Sequence, residues 1–343
     1  MQSGDRIEVL DVLRGVAIFG ILIANMLAAG GYFFLDSTAR SALSTAAPDG
    51  VMLYLIHVLV EGKFYSLFSL LFGIGFAVQL GRAEAKGVAF PRLFRRRLVG
   101  LLLIGLVHAT VIWAGDILLL YALLGFLLLP YLGASDRTLL RWVVACLAMP
   151  VAVYLLFLAA GVGDPFAAPA AGEGAAGDLM GMMIAGLRDG TWLESVRSNL
   201  MFLVGRWADL FISVRFPKVF GMFLLGFYLG RRGLGTDAVR DGALLRRTAW
   251  LGLGLGLPAS ALAGWLVEQG VYLPASPLGL LQTTAAAIGV PALALGYGAC
   301  VVLAFETPIG RRILAPVGVV GRMALTNYPV SYTHLTLPTN REV

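Results

Sequence analysis

The sequence predicts an all-α fold, a polytopic integral membrane bundle of about eight to nine transmembrane helices, and three observations predict it. First, 59% of the 343 residues are hydrophobic and only 13% are charged, at a mean hydropathy of +0.84. A water-soluble domain is roughly 45–50% apolar and about 25% charged, so too little polar surface exists here to clothe a body of this size in water. Second, apolar runs of roughly 20 residues, the length that crosses the hydrocarbon, recur along the chain. Third, these runs are continuous blocks, such as 98–114 and 117–132, without the period-two alternation of barrel strands. In lipid only helices or closed barrels satisfy the backbone, so the blocks are helices.

The predicted spans lie near 12–30, 51–80, 98–114, 117–133, 142–160, 217–231, 248–268 and 278–305. The first is longer than a signal-peptide core and carries Glu8 and Asp11 in its flank, so it is a retained helix. The second is long and interrupted by Glu61-Gly62-Lys63, which predicts a tilt or kink there. A stretch rich in Gly, Ala and Pro at 161–190 reads as an outer loop. After it, Trp192, Val196, Leu200, Leu203, Trp207 and Phe211 recur at three- and four-residue steps, with Glu194, Arg197, Asn199 and Arg206 between them. That is an amphipathic helix, lying along the outer interface or packed against the bundle. Residues 1–330 form one membrane domain that includes the 161–216 loop and helix. The polar tail 331–343 resembles translated sequencing-adapter read-through, so the natural protein is expected to continue with further spans and His334 carries no weight.

Basic residues set the sidedness. The 81–97 connection holds Arg82, Lys86, Arg92, Arg95, Arg96 and Arg97; 134–141 holds Arg137 and Arg141; 232–247 and 306–312 are basic too. Of the alternate connections, 31–50 holds only Arg40 and 115–116 and 269–277 hold none, while the long 161–216 segment holds several but is exempt as a long translocated loop, which predicts a cytoplasmic N-terminus. The net charge of +6 therefore marks membrane orientation, and nucleic acid is not an expected partner. Cys146 and Cys300 each sit in an apolar run and read as small hydrophobes.

Ionisable groups inside a bilayer cost about 3 kcal/mol on insertion scales, so the few present are candidates for function. Arg14 and Asn25, eleven residues apart in the first span, share a helix face about 16 Å apart in depth. Arg14 is otherwise a snorkelling anchor, and Asn25 otherwise interhelical glue. Glu61 and Lys63 do not face each other on a helix, so each needs a partner elsewhere, and His57 lies one turn from Glu61. His108 lies well inside the third span and Asp116 follows in a short outer turn. A carboxylate that orients an imidazole is the arrangement of an acid–base centre, and a satisfied structural histidine is the bland alternative. By depth, Asn25, Lys63, His108 and Asp116 are expected to converge on one outer-facing pocket, roofed by Arg206 and Asp209. Walker-type, HExxH and GxSxG motifs are absent, and no metal site is expected. The span glycines Gly73, Gly75, Gly252, Gly254 and Gly256 are read as close-packing positions.

The blocks Leu10-Asp11-Val12-Leu13-Arg14-Gly15, Gly62-Lys63-Phe64 with Leu67-Phe68-Ser69-Leu70-Leu71-Phe72-Gly73, and His108 with Trp113-Ala114-Gly115-Asp116-Ile117-Leu118 resemble the YeiB family, the domain-of-unknown-function 418 family. Gly321-Arg322-Met323-Ala324-Leu325-Thr326-Asn327-Tyr328 resembles its C-terminal signature, which adds Arg322 and Asn327 to the substrate-binding candidates. The resemblance implies a multi-pass protein of the bacterial inner membrane. It is similar in turn to membrane acyltransferases, which pass an acyl group from a cytoplasmic donor to an acceptor on the far side. One branch of those has a His eleven residues after the first-helix Arg; here that place holds Asn25, which leaves His108 to substitute. The resemblance implies an acyl transferase with His108 as base or acyl carrier, Asp116 as its orienter, and Arg14 and Lys63 on anionic donor groups. Acetyl-CoA or another thioester is the implied donor, with no tightly bound cofactor, and the acceptor is a small molecule or sugar. A homo-oligomer is compatible with this. Two other readings of the same polar residues stay open: a transporter of a small metabolite, and a membrane scaffold or sensor.

Overall fold

The computed structural model describes residues 8–29, 32, 42–163, 182–183, 185–186, 190–233, 241–272 and 274–336. The chain is an all-helical bundle. Its helices are α1 (Glu8–Ala29), α2 (Ala46–Leu59), α3 (Lys63–Ala85), α4 (Phe90–Val107), α5 (Leu118–Leu128) and α6 (Asp136–Ala159) in the first half. The second half contributes α7 (Trp192–Ile212), α8 (Arg215–Arg231), α9 (Gly242–Glu268), α10 (Pro277–Glu306), α11 (Pro308–Arg322) and α12 (Ala324–Thr336).

Among the described residues five helices are long and apolar enough to cross a membrane, or up to six if the bent pair α7–α8 is one span. Two further expected spans fall on α4, which carries Arg95-Arg96-Arg97 in its first half, and on Leu118–Tyr131, a shorter apolar helix. Large apolar side chains point outward along these helices, with Trp250 78% and Leu156 68% exposed. Such an exterior is costly in water and suits lipid. The expected interruption of the second span is real: α2 ends at Leu59, α3 starts at Lys63, and Gly62 takes φ +83° to make the turn. At 1.5 Å per residue the 40 residues of 46–85 run about 60 Å, twice the hydrocarbon thickness. The 23 residues of α3 alone suffice to cross, so Glu61 and Lys63 lie at an end of that crossing.

α3 is the central helix. It packs on α8, α1 and α10, and α8 continues the contact onto α6. A Cβ on Gly73 would meet the backbone of Phe223 and Phe227, and one on Gly226 would meet the backbone of Leu70 and Ile74. These reciprocal glycines let two backbones touch, as van der Waals packing in lipid requires. Gly252 and Gly256 do the same for α9 against α10, whereas Gly75 faces Arg14 and Gly254 faces open space, so two of the five expected packing glycines serve otherwise. An aromatic core fills the space between α3, α4 and α8, with Phe72 stacked on Phe223 at 4.3 Å and Phe76 edge-on to Phe94 at 4.8 Å. Tyr121 of α5 joins it and is 1% exposed. Cys146 is buried in the same core and Cys300 is half-buried, as small hydrophobes would be.

Thr191 and Glu194 form a capping box that starts α7 where the amphipathic repeat begins. Most of the expected 161–190 loop lies outside the described residues. α12 runs through Ser331 to Thr336, so the helix does not stop where the sequence turns polar; residues 337–343 lie outside the described ones.

Candidate functional site

His108 opens a π-helical turn, His108–Ile112, that ends α4. Such widened turns tend to mark functional positions, because the extra residue re-aims a side chain. The chain then extends at Trp113 and turns back through Asp116 into α5. Asp116 uses both carboxylate oxygens. Oδ1 accepts from His108 Nδ1 at 2.8 Å and Oδ2 accepts from the Leu119 backbone N–H at 2.6 Å, which ties the carboxylate to the first turn of α5. Both side chains are 1% exposed. With Asp116 as acceptor, Nδ1 carries the ring proton and Nε2 the lone pair, the form in which an imidazole accepts a proton. The paired His108 and Asp116 anticipated from their spacing are thus in direct contact.

Two more residues border the pair. The Tyr328 ring lies 5.5 Å from the His108 ring, and Tyr328 is 2% exposed. Arg206 of α7 lines a shallow recess with Asp116, Ala109, Leu203 and Trp207. Arg206 Nη1 also donates to Asp209 Oδ2 at 2.9 Å, the expected partner three residues on.

Glu61 and Lys63 belong to a second group at the α2–α3 turn. Lys63 Nζ donates to the His57 carbonyl at 2.6 Å, and His57 Nδ1 bonds Glu61 Oε2 at 2.5 Å. His57 Nε2 stands 3.6 Å from Glu268 Oε1 on α9, and Tyr297 of α10 donates to the Leu59 carbonyl at 3.1 Å. Lys63, 2% exposed, therefore serves an orphan carbonyl at the end of α2. Of the four residues expected to share one pocket, His108 and Asp116 are bonded to each other and Lys63 is bonded to the His57 carbonyl. Lys63 is anchored locally by its own turn, because the break at Gly62 leaves helix-end carbonyls that a buried ammonium satisfies.

Arg14 Nη1 donates to Asp11 Oδ1 at 2.9 Å on the same helix and lies over Gly75 of α3, near the opposite end of α1 from half-buried Asn25. Arg322 is exposed at the end of α11. Asn327 Nδ2 donates to the Val320 carbonyl at 2.9 Å and closes the α11–α12 turn. That signature delivers Tyr328, not Arg322 or Asn327, to the histidine.

The sequence reading also passed over Arg215 and Lys218. They lie where α7 gives way to α8 at a 69° bend, with Val214 between in the left-handed region at φ +50°. The Arg215 guanidinium sits 5.8 Å from the centre of the Tyr65 ring and 3.7 Å from Asp209 Oδ2. A basic pair around Pro217 at the start of an apolar run was the available signal, and it was absorbed into the long loop that charge counting exempts. Among the described residues no three His, Cys, Asp or Glu side chains form a metal-holding group.

A family model described as "Protein of unknown function (DUF418)" matches residues 229–336. The chain is 33% identical to "Uncharacterized protein YxaH" of Bacillus subtilis (strain 168), over 95% of this chain and 79% of that protein. It is 27% identical to "Uncharacterized 39.9 kDa protein in amylase 3'region" of Bacillus acidopullulyticus, over 97% of this chain and 79% of that one. It is 29% identical to "Uncharacterized protein YeiB" of Escherichia coli (strain K12), over 94% and 81%. No solved structure matches it at a significant level. With similarity running over nearly the whole chain and the C-terminal signature inside the matched model, the chain belongs to the DUF418 family of YeiB-like proteins.

Proposed function

We propose that the protein is an acyl-group transferase of the bacterial inner membrane, multi-pass with a cytoplasmic N-terminus. The observation that carries this reading is the His108–Asp116 hydrogen bond at 2.8 Å, buried on both sides. An imidazole fixed in one tautomer by a carboxylate is a general base suited to neutral pH. In the proposed step His108 Nε2 takes the proton of an acceptor hydroxyl as that oxygen bonds the acyl carbon of a thioester such as acetyl-CoA. The carbon–sulfur bond breaks, and the proton passes from His108 to the thiolate. Asp116 positions the ring and offsets its transient positive charge, and Arg206 across the recess binds anionic substrate groups.

Purified protein in proteoliposomes tests this. It should consume a labelled acyl thioester in the presence of a mixed panel of sugar and small-molecule acceptors, and His108→Ala should abolish turnover. A variant with full turnover removes His108 from the chemistry.

A transporter is the second reading, and the two helix breaks at Gly62 and Val214 favour it, since broken helices with charged groups at the break are common in transport sites. It requires substrate flux in the same proteoliposomes under an imposed pH gradient. If replacing Lys63, His108 and Asp116 together changed neither turnover nor flux, both readings would give way to a scaffold or sensor.

A further inference from the structure

The junction of α7 and α8 has more positive charge than the described residues around it balance. Arg206 lies in the C-terminal half of α7 on one side of the bend, Arg215 and Lys218 open α8 on the other, and Ser213 lies between. Asp209 is the carboxylate bonded to this group, 2.9 Å from Arg206 and 3.7 Å from Arg215. Glu61 lies within electrostatic reach of Arg215, but its side chain is held by His57 and accompanied by Lys63. Among the described residues, Asp209 is thus the one carboxylate paired with this group of three cations.

The donors are also incompletely used. The Nε atoms of Arg206 and Arg215 and the Ser213 hydroxyl are buried with no hydrogen-bond partner. Lys218 has no hydrogen bond or ion pair among the described residues. α8 is 17 residues long, and no side chain caps its N-terminus, so its first amides and the positive end of its dipole add to the same field. Buried donors without acceptors are rare, and they mark places where a partner is expected. Val214 holds the bend in a conformation that a β-branched residue seldom adopts, a form of strain that collects at ligand sites.

We propose that the break between α7 and α8 binds a phosphate-bearing anion through Arg206, Arg215, Lys218 and the first turn of α8. A tetrahedral group with several terminal oxygens and up to two negative charges fits forked guanidiniums, an ammonium and helix amides better than a flat single-charge carboxylate does. The phosphate belongs either to a membrane lipid headgroup or to a soluble phosphate ester. Val204 and Phe211 of α7, 73% and 68% exposed, lie along the same helix and offer an apolar strip for acyl chains in the first case. The site does not require acyl transfer by His108.

The test uses the whole protein in phosphatidylcholine nanodiscs. One arm adds inorganic pyrophosphate, and the other replaces part of the phosphatidylcholine with phosphatidic acid; thermal unfolding and native mass spectrometry report binding. Wild type should be stabilised in at least one arm, and that arm names the source. Arg215→Gln with Lys218→Gln should weaken apparent affinity about tenfold, while Arg215→Lys keeps most of it. Asp209→Asn removes the competing carboxylate and should tighten binding, a gain that misfolding cannot mimic. No response in either arm, equal binding by the double variant, or weaker binding by Asp209→Asn each overturns the proposal. His108→Ala should bind phosphate as wild type does, so the loss of one reading leaves the other standing.

Discussion

Gly105 of α4 lies against the backbone of Leu119, so that a methyl group on Gly105 would overlap the amide whose N–H holds Asp116. The close approach of α4 and α5 is therefore what brings the two ends of the π turn together and seats the carboxylate beside His108. Gly105→Ala should displace α5 at its start, cost about 1–3 kcal/mol through overpacking, and loosen the His108–Asp116 bond. Thermal unfolding in detergent checks the first effect. Imidazole proton shifts by NMR check the second, and an unchanged Nδ1–H resonance would show that the contact does not set the pair.

His108 and Asp116 separate by role. His108→Ala should lower acyl transfer by about 10²–10⁴-fold, the range for loss of a general base. Asp116→Asn keeps the shape but offers no negative charge to the ring, so turnover should fall while KM changes little. Asp116→Ala should also destabilise the fold by about 3 kcal/mol, because it strands a buried histidine and the Leu119 amide. A purely structural pair would show the stability loss without a fall in turnover per folded molecule.

Val214 is the described non-glycine residue at positive φ, at +50°. Val214→Gly should stabilise the protein by about 1 kcal/mol, because glycine adopts this backbone without the Cβ clash. Flexibility at the bend should increase at the same time. Circular dichroism melting measures the first effect, and hydrogen exchange at Arg215 and Phe216 the second. A lower melting temperature would mean that the isopropyl group's packing outweighs its backbone strain.

Lys63 tests the α2–α3 turn. Its ammonium satisfies the His57 carbonyl at 2.6 Å, so Lys63→Met should leave that group unpaired and cost about 1–3 kcal/mol. Limited proteolysis near Gly62 should become faster, whereas acyl transfer per folded molecule should hardly change. A large selective loss of transfer with stability intact would return Lys63 to the substrate site.

Much of the layout was legible from residue order. The break at Glu61-Gly62-Lys63 stood out because charges interrupt an apolar run, and the His57–Glu61 pair follows from one helical turn. The contact of His108 with Asp116 was also within reach, since only a short turn separates them. Tyr328 was not, because its place beside His108 arises from a chain that returns after more than two hundred residues. Arg215 and Lys218 were hidden for a different reason: helix-start basic residues look like interface anchors until the bend at Val214 turns them toward Arg206 and Asp209.

The sequence by itself determined the helical membrane class, the order of the apolar helices and the local pairs, because hydrophobicity and helical spacing are properties of short stretches. Only the tertiary structure decided which polar residues meet. It brought Tyr328 and Arg206 to the His108–Asp116 pair, and it kept Lys63, Arg14 and Asn327 with partners of their own. The physical reason is that a buried polar group takes the first adequate partner the packing offers, and which partner comes near depends on glycine contacts such as Gly73 with Gly226 that join helices far apart in the chain.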